Sequence, residues 1–243
     1  MDTRLTIDEG NSSTKAALWH GDVMAAVRSY ASLDAALADL AASCGCRADA
    51  LIFCSVCRRD SDELRARLAP LARRVMVLSA SMPLPLEITY RTPATLGADR
   101  IAAAVGAATI HPGRTCLVVD MGTAITYDVV SADGRYLGGN IAPGIFVRLE
   151  ALEHFTSALP LVETDGDVPR WGYDTETALR AGAIRGVVGE LQYYRHCLST
   201  DAAVVLTGGS ADLITDLITT PVTVEPNLVL IGLNRIINYN EEI

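Results

Sequence analysis

Residues 3–15, TRLTIDEGNSSTK, contain the pattern that decides the fold: an apolar strand ends at an aspartate and turns through glycine and small hydroxyl residues into a second strand. A related pattern, CLVVDMGTA, follows at residues 116–124, so that Asp8 and Asp120 lie 112 positions apart. The periodicity around each copy predicts the same order of elements, βββαβαβ. We therefore expect an internal duplication that makes two lobes, with a cleft between their strand ends.

The predicted lobes divide near residue 114. Residues 1–114 would form an N-terminal lobe with the first phosphate loop, and residues 115–243 a C-terminal lobe with the second. Apolar spacing and turn residues also predict the helices and strands that flank the candidate site residues discussed below. These are helices at 98–110, 145–157, 175–198 and 211–218, a short strand at 135–137, and a last helix of the second repeat from Asn227.

Composition limits the function. The chain has 243 residues, of which 50% are hydrophobic, so it can bury a sizeable core and is not disordered as a whole. Its 20 basic and 29 acidic residues give a net charge of −9, and only 5% are aromatic, which excludes nucleic acid as a main partner. The N-terminus carries acidic residues and no apolar leader, and the most apolar run, 101–110, is half as long as a membrane span. We expect a cytoplasmic protein with no membrane partner.

The first turn suits a phosphate. A carboxylate at a strand end, such as that of Asp8, can hold a hydrated cation, and the N–H groups of a glycine turn can approach a phosphate that a Cβ would block. Ser12, Ser13 and Thr14 add hydroxyl groups, and Lys15 adds a positive charge. The alternative is that Asp-x-Gly is an ordinary hairpin turn, which is a common use of this pattern.

A third loop candidate lies at residues 204–211, VVLTGGSA, where an apolar strand runs into Gly208 and Gly209 and then into a helix. Close backbone access and a helix N-terminus would suit a nucleotide. The alternative is a plain strand-to-helix turn that Ser210 caps. No G-x-x-x-x-G-K-[ST] motif occurs in the chain.

Further motifs make the pattern specific. They are YRTP at 90–93, LGADR at 96–100, LGGNIAPG at 137–144, GYDT at 172–175 with Gly182, and LTGG at 206–209. Together with the two aspartate loops, they resemble the type III pantothenate kinases of the acetate and sugar kinase, Hsp70 and actin superfamily. The resemblance covers most of the chain. It implies an α/β fold of two ribonuclease H-like (actin-like ATPase) lobes.

The resemblance also implies ATP-dependent phosphorylation of pantothenate to 4'-phosphopantothenate, the first step towards coenzyme A. By this resemblance Asp99 is the catalytic base, Asp120 holds a monovalent cation (K⁺ or NH₄⁺), and Mg²⁺ accompanies ATP with Asp8 as a candidate ligand. ATP would be bound by Asp8, Gly10, Asn11, Ser12, Ser13, Thr14, Lys15, Thr123, Gly208 and Gly209. Pantothenate would be bound by Tyr90, Gly97, Ala98, Asp99, Arg100 and Thr175, and a homodimer is implied in which Thr175 closes the partner's site.

The residue types fit this chemistry without the family. Phosphoryl transfer depends on positioning and on neutralising charge, so one carboxylate that orients and deprotonates the hydroxyl is sufficient protein chemistry. Arg100 could bind the substrate's carboxylate through two parallel hydrogen bonds. The alternative is that Asp99 and Arg100 only begin the helix at 98–110, since aspartate favours the positive end of a helix.

Three positions depart from the family pattern: Glu9 stands at a usually apolar position, Thr92 replaces a more usual Asn, and Met121 stands where Phe is common. Glu9 could weaken ATP binding or could point away from the loop. Cysteines 44, 46, 54 and 57 could hold zinc, although an apolar strand with buried thiols is the interpretation we favour.

Three rival functions remain. A sugar or acyl kinase of the same superfamily would use another acceptor, a non-catalytic relative would act as a transcription-accessory binding module, and a zinc-dependent interaction protein would use the cysteines. The retained Asp99, Lys15 and Asp120 argue against a pure binding module.

Overall fold

The computed structural model describes residues 2–43, 47–57 and 61–243. The strands are β1 (Thr3–Glu9), β2 (Thr14–His20), β3 (Val23–Tyr30), β4 (Ala48–Ser55), β5 (Ala72–Val77), β6 (Glu87–Ile88), β7 (Cys116–Met121), β8 (Ala124–Val130), β9 (Arg135–Pro143), β10 (Ala203–Thr207) and β11 (Thr223–Val224). The helices are α1 (Leu33–Ser43), α2 (Ser61–Leu68), α3 (Ala98–Ile110), α4 (Ile145–Phe155), α5 (Thr175–His196), α6 (Asp212–Thr215) and α7 (Leu228–Glu242), and a 3₁₀ turn spans Pro93–Thr95. Among the described residues, no helix combines the length and the apolar character needed to cross a membrane.

The chain forms two compact units. The first contains Met1–Gly113, Ser131–Leu137 and Asn227–Ile243, and the second contains Arg114–Val130 and Gly138–Pro226. Helix α7, which the sequence predicted as the end of the second repeat, therefore belongs to the first unit. The assignment of functions to 1–114 and 115–243 stays a prediction.

The first unit is built on a sheet with the strand order β3-β2-β1-β4-β5, in which β1, β2 and β3 are antiparallel and β4 and β5 run parallel to β1. Both faces of β1 are buried. Leu5 and Ile7 pack with Phe53 in an apolar cluster, whereas Thr6 accepts a hydrogen bond of 2.9 Å from the indole nitrogen of Trp19. The two faces of β1 differ, since one is apolar and the other carries Thr6, so a one-residue slip in register would bring Thr6 into the apolar cluster.

Helix α3 packs closely along helix α7, and glycines make this approach possible. A Cβ added to Gly232 would lie 1.8 Å from the carbonyl oxygen of Ala102, and one added to Gly106 would lie 2.3 Å from that of Leu228. Only residues without a side chain fit such a backbone contact. This contact explains why the last helix of the chain packs with the first unit.

The second sheet has the strand order β11-β10-β7-β8-β9, which repeats the order of the first sheet, and β6 pairs with Arg135 and Tyr136 at the start of β9. Leu117 and Val119 of β7 are fully buried in an apolar cluster with Ile184 and Val187 of α5. The repeated order is the duplication that the sequence predicted.

Two elements differ clearly from their predictions, and helices α4 and α5 each end two residues earlier than predicted, at Phe155 and His196. The predicted strand at 135–137 continues as β9 to Pro143, because its backbone goes on pairing with β8. The predicted helix at 211–218 is reduced to the four residues of α6, and no side chain caps its first turn. The helix predicted at 98–110 has those same bounds.

Candidate active site

The first loop, residues 8–15, connects β1 to β2. Asp8 lies directly opposite Lys15 in the antiparallel register, so their side chains share one face of the sheet. The N–H of Gly10 donates a hydrogen bond of 3.0 Å to the carbonyl oxygen of Ser13 and closes the turn. Asn11, Ser12 and Ser13 are exposed at its tip. The loop thus presents hydroxyl and backbone groups beside one acidic and one basic side chain.

Glu9 lies on the opposite face of β1 from Asp8. Its side chain is buried, with the residue 4% exposed, and it accepts a hydrogen bond of 2.7 Å from the hydroxyl of Ser55 on β4. Neighbouring strand residues point to opposite faces, so the Glu9 carboxylate faces away from the side of Asp8 and Lys15. This departure from the family pattern is accommodated inside the first unit.

Asp99 stands in the first turn of α3. Its Oδ1 atom accepts a hydrogen bond of 2.9 Å from the backbone N–H of Arg100. The same oxygen lies over Gly97, where an added Cβ would be 2.4 Å away. Arg100 is buried, with 6% of its surface exposed. The LGADR motif therefore has a local physical basis: the glycine leaves room for the aspartate to fold back over the start of the helix.

Tyr90 and Thr92 precede this helix. The Tyr90 ring makes an edge-to-face contact with the buried Tyr136 ring at a centroid distance of 6.1 Å. Thr92, which replaces the more usual Asn, accepts a hydrogen bond of 2.8 Å from the hydroxyl of Thr95 across the 3₁₀ turn. A hydroxyl group can satisfy this short turn, so the substitution keeps the local structure.

The second loop, Asp120–Thr123, connects β7 to β8 in the second unit. The N–H of Gly122 donates a hydrogen bond of 3.1 Å to the carbonyl oxygen of Ala124. Asp120 lies opposite Thr126, whereas Asp8 in the first loop lies opposite Lys15. Seven positions separate Asp8 from Lys15 but only six separate Asp120 from Thr126, so the turn between the paired residues is one residue shorter in the second loop, which has Thr126 at the position equivalent to Lys15. Met121 is fully buried in the apolar core, where its flexible side chain takes the place of the usual Phe.

Gly144 supports the second loop from the end of β9. Its N–H donates a hydrogen bond of 2.9 Å to the carbonyl oxygen of Thr123. An added Cβ would lie 2.4 Å from the carbonyl oxygen of Gly122 and 2.5 Å from that of Thr123. Thr123 itself is exposed. The GGNIAPG motif therefore ends in a glycine that is pressed against the loop predicted to contact ATP.

The third loop, residues 207–211, follows β10 and lies beside the second. Thr207 pairs with Asp120 in parallel register, and the N–H of Ser210 donates a hydrogen bond of 3.1 Å to the carbonyl oxygen of Met121. Ser210 thus supports the second loop through its backbone, and α6 has no side-chain cap. The structure brings the predicted residues Asp120, Gly208 and Gly209 together at one edge of the second sheet.

Both the backbone angle of Gly208 and its close neighbours require a residue without a side chain at this position. Its φ is +89°, and an added Cβ would lie 2.5 Å from the Met121 nitrogen and 2.6 Å from Oδ1 of Asp120, whereas a Cβ on Gly209 would meet nothing within 4 Å. We expect Gly208→Ala to lower the free energy of unfolding by about 1–2 kcal/mol more than the neighbouring control Gly209→Ala, because a left-handed φ strains a residue with a Cβ. Denaturant unfolding of both variants measures this difference, and equal values would contradict it.

Thr175 is exposed at the start of α5. Asp174 caps this helix by accepting a hydrogen bond of 2.8 Å from the N–H of Thr177, and that backbone hydrogen bond, followed by one from the Thr177 hydroxyl, lowers the pKa of Asp174. The cap fixes the residue at which α5 begins, and it thereby fixes the backbone position of Thr175.

No sequence motif indicates Tyr127, Arg148 or Glu190, which form a hydrogen-bonded group that is connected to the second loop. They come from three different elements, so no local motif could have revealed them. For the cysteines, Cys54 is buried and Cys57 is exposed, while Cys44 and Cys46 lie outside the described residues. Within the described ranges no group of three or more His, Cys, Asp or Glu residues could hold a metal ion, and the structural role of the thiols stays a prediction.

Solved structures with the same fold define the class. A protein described as a Baf family transcriptional activator from Campylobacter jejuni has a TM-score of 0.69 at 22% identity, covering 98% of this chain and 100% of that one. A protein described as a 2-dehydro-3-deoxygalactonokinase from Sinorhizobium meliloti has a TM-score of 0.63 at 15% identity, covering 99% and 100%. An archaeal actin homolog has a TM-score of 0.51 at 10% identity, covering 99% and 100%. The chain has the actin-like ATPase and sugar kinase fold, which confirms the predicted fold class.

Sequence comparison is more specific. The family model described as type III pantothenate kinase matches residues 4–196. The type III pantothenate kinase of Porphyromonas gingivalis strain W83 is 40% identical over 247 residues, covering 99% of this chain and 100% of that protein. That of Cytophaga hutchinsonii is 36% identical over 239 residues, covering 97% and 99%. The chain belongs to the type III pantothenate kinase family and is therefore a kinase.

Proposed function

We propose that this protein transfers the γ-phosphoryl group of ATP to the primary hydroxyl of pantothenate, giving 4'-phosphopantothenate and ADP in the first step of coenzyme A synthesis. The family match over residues 4–196 carries this proposal. The placement of Asp99 at the start of α3, in the LGADR motif on which the family resemblance rests, supports it. The cytoplasmic location stays a prediction from the sequence.

Asp99 is the proposed catalytic base. Its Oδ1 accepts a hydrogen bond from the Arg100 N–H, which orients the carboxylate, and this carboxylate would receive the proton of the pantothenate hydroxyl. The deprotonated oxygen attacks the γ-phosphorus as the bond to the bridging oxygen of ADP breaks. Arg100 is the proposed partner of the pantothenate carboxylate, and Tyr90, Gly97, Ala98 and Thr175 are the other proposed contacts of this substrate.

Each of the three loops is proposed to supply contacts to ATP. The first loop offers Lys15 and the exposed hydroxyl groups of Ser12 and Ser13, and the other two offer Thr123 and the Gly208–Gly209 backbone. Their N–H and hydroxyl donors match the acceptor oxygens of phosphates. Each contact would offset part of the repulsion between ATP and a chain whose net charge is −9.

Two cations are implied by the proposed reaction. Asp8 and Asp120 supply carboxylate oxygens at strand ends, which are the donors that Mg²⁺ and K⁺ prefer. Asp8 would help to hold Mg²⁺, and Asp120 would hold the monovalent cation. When bound, these ions would neutralise phosphate charge. The orientation of Asp120 depends on Gly208, since a Cβ there would come within 2.6 Å of its Oδ1.

A homodimer is also proposed. Large apolar side chains are exposed on the second unit: Ile141 65%, Phe146 46%, Phe155 81% and Trp171 83%. Apolar side chains that form one contiguous patch mark a surface that binds another protein, and we propose that these residues form such a patch. Thr175 is exposed four positions after Trp171, and we propose that it lies at the pantothenate site of the partner.

We expect the purified protein to release ADP from ATP only when pantothenate and K⁺ or NH₄⁺ are both present, because the proposed site needs an acceptor hydroxyl and a cation at Asp120. ADP release is measured in a buffer whose only other monovalent cation is a bulky organic one, with Na⁺ at equal ionic strength as the control. Acetate and a hexose replace pantothenate in parallel reactions. Equal rates with these acceptors, or no turnover with pantothenate at any cation concentration, would refute the proposal.

A further inference from the structure

Three side chains form a hydrogen-bonded group in the second unit. The Tyr127 hydroxyl on β8 donates a hydrogen bond of 2.9 Å to Oε2 of Glu190 on α5. The guanidinium of Arg148 on α4 donates one of 2.7 Å to the same oxygen. Tyr127 is 1% exposed, while the Arg148 and Glu190 side chains are 19% and 34% exposed. The group therefore joins one strand and two helices at a partly buried point.

Arg148 connects this group to the second loop. Its Nε atom donates a hydrogen bond of 2.8 Å to the carbonyl oxygen of Pro143. The next residue, Gly144, donates its N–H to the carbonyl oxygen of Thr123 at 2.9 Å. Since β8 begins directly after Thr123 and carries Tyr127, the hydrogen bonds form a closed circuit from the loop through both helices and back to the loop.

The charges in the circuit stabilise one arrangement. Burial opposes ionisation of Glu190, but the hydrogen bonds from Arg148 and Tyr127 outweigh it and lower the pKa of its carboxyl. Burial, and next the hydrogen bond to Glu190, raise the pKa of the Tyr127 phenol. Glu190 is thus an ionised acceptor and Tyr127 a protonated donor at neutral pH. Hydrogen bonds to an ionised group are stronger than neutral ones, and a planar guanidinium can bind two acceptors at fixed angles.

We propose that Arg148 and Glu190 are positioning residues for the ATP site: they hold Gly144 against Thr123 and so set where the second loop meets ATP. They act through Pro143 and Gly144 and are not proposed to contact the nucleotide. This inference rests on the proposed function, because Thr123 is taken as an ATP contact. It adds two residues from outside every motif on which that function rests.

The test is Arg148→Lys, which keeps the positive charge but loses the two-acceptor geometry. We expect the KM for ATP to rise about 10-fold, because small displacements of a binding loop are costly, while the KM for pantothenate changes less than about 2-fold. Glu190→Ala should have a similar effect. Glu190→Gln, which still accepts hydrogen bonds, should restore most of the ATP affinity.

Arg195→Lys is the matched control. Arg195 lies on α5, as Glu190 does. Like Arg148, it donates hydrogen bonds from its guanidinium to backbone carbonyls, those of Ser199 at 2.8 Å and Thr200 at 2.6 Å. These carbonyls come shortly before Ala203, which pairs with Cys116, the first residue of β7. Asp120 and the second loop lie at the other end of that strand. We expect Arg195→Lys to leave both KM values unchanged, even if its thermal midpoint falls as far as that of Arg148→Lys.

Calorimetric titration with ATP alone, without pantothenate, separates the two proposals. If the unmodified protein binds ATP but does not phosphorylate pantothenate, the proposed function fails, and the inference is judged by the ATP dissociation constants of the variants. ATP affinity in Arg148→Lys and Glu190→Ala equal to that of Arg195→Lys would overturn the inference. Equal rises in both KM values would also overturn it, as would a protein that binds no ATP. If Arg148→Lys does not fold, the two Glu190 variants decide.

Discussion

Asp99→Asn is expected to keep the fold and to lower kcat by about 10²- to 10⁴-fold, the usual cost of removing a general base. The asparagine Oδ1 atom can still accept the hydrogen bond from the Arg100 N–H that Asp99 accepts at 2.9 Å, so the start of α3 should remain in place. What the variant loses is the ability to take the proton of the pantothenate hydroxyl. Steady-state ADP release at saturating ATP and pantothenate measures the loss.

Asp34→Asn is the matched control for this variant. Asp34 stands in the first turn of α1 as Asp99 does in the first turn of α3, and it pairs with Arg67 at the surface of the same unit. Both substitutions remove one negative charge from a helix N-terminus, which is worth about 0.3–1 kcal/mol. We expect Asp34→Asn to retain its turnover. If Asp99→Asn also did, the base would have to be another residue, and Asp99 would only begin the helix.

Gly232→Ala is expected to have the largest effect on stability, lowering the free energy of unfolding by about 3 kcal/mol or more. The added methyl group would lie 1.8 Å from the carbonyl oxygen of Ala102 and 2.8 Å from the nitrogen of Gly106. Both atoms belong to the backbone of α3, so relief requires one helix to move. The midpoint of thermal unfolding should fall on the order of 10 °C. Because α3 carries Asp99, turnover should fall as well.

Gly189→Ala provides the control for this substitution. Gly189 also lies inside a helix, α5, but an added Cβ there would meet nothing within 4 Å. Alanine is the better helix former, so we expect Gly189→Ala to raise the free energy of unfolding by about 0.5–1 kcal/mol. Two equal responses would show that close packing between α3 and α7 does not limit the stability of this protein.

Much of the proposed site could be predicted from short stretches of sequence. The Asp8 and Asp120 loops are turns whose glycines and hydroxyl residues lie within a few positions of the aspartate. The LGADR motif is similarly local, since Gly97 leaves room for the Asp99 carboxylate two residues later. Each of these depends on neighbours in the chain, so a sequence pattern is enough to indicate it.

Other parts of the site required the folded chain. The sequence leaves two interpretations open for Glu9, and only the packing of β4, which brings Ser55 beside it from 46 positions away, decides between them. Helix α6 was predicted to be longer because apolar periodicity extends beyond the four residues that form it. The sequence could show a helical pattern there, but it could not show that no side chain would cap the first turn.

By itself, the sequence determined the family, the duplicated strand order and the loops that are proposed to contact ATP and pantothenate. Each of these depends on residues that are neighbours in the sequence. Only the tertiary structure placed α7 in the first unit and joined Tyr127, Arg148 and Glu190 into a group that is connected to the second loop. Those hydrogen bonds connect residues 63 and 42 positions apart. Such contacts depend on the direction of each side chain after packing, which no local pattern records.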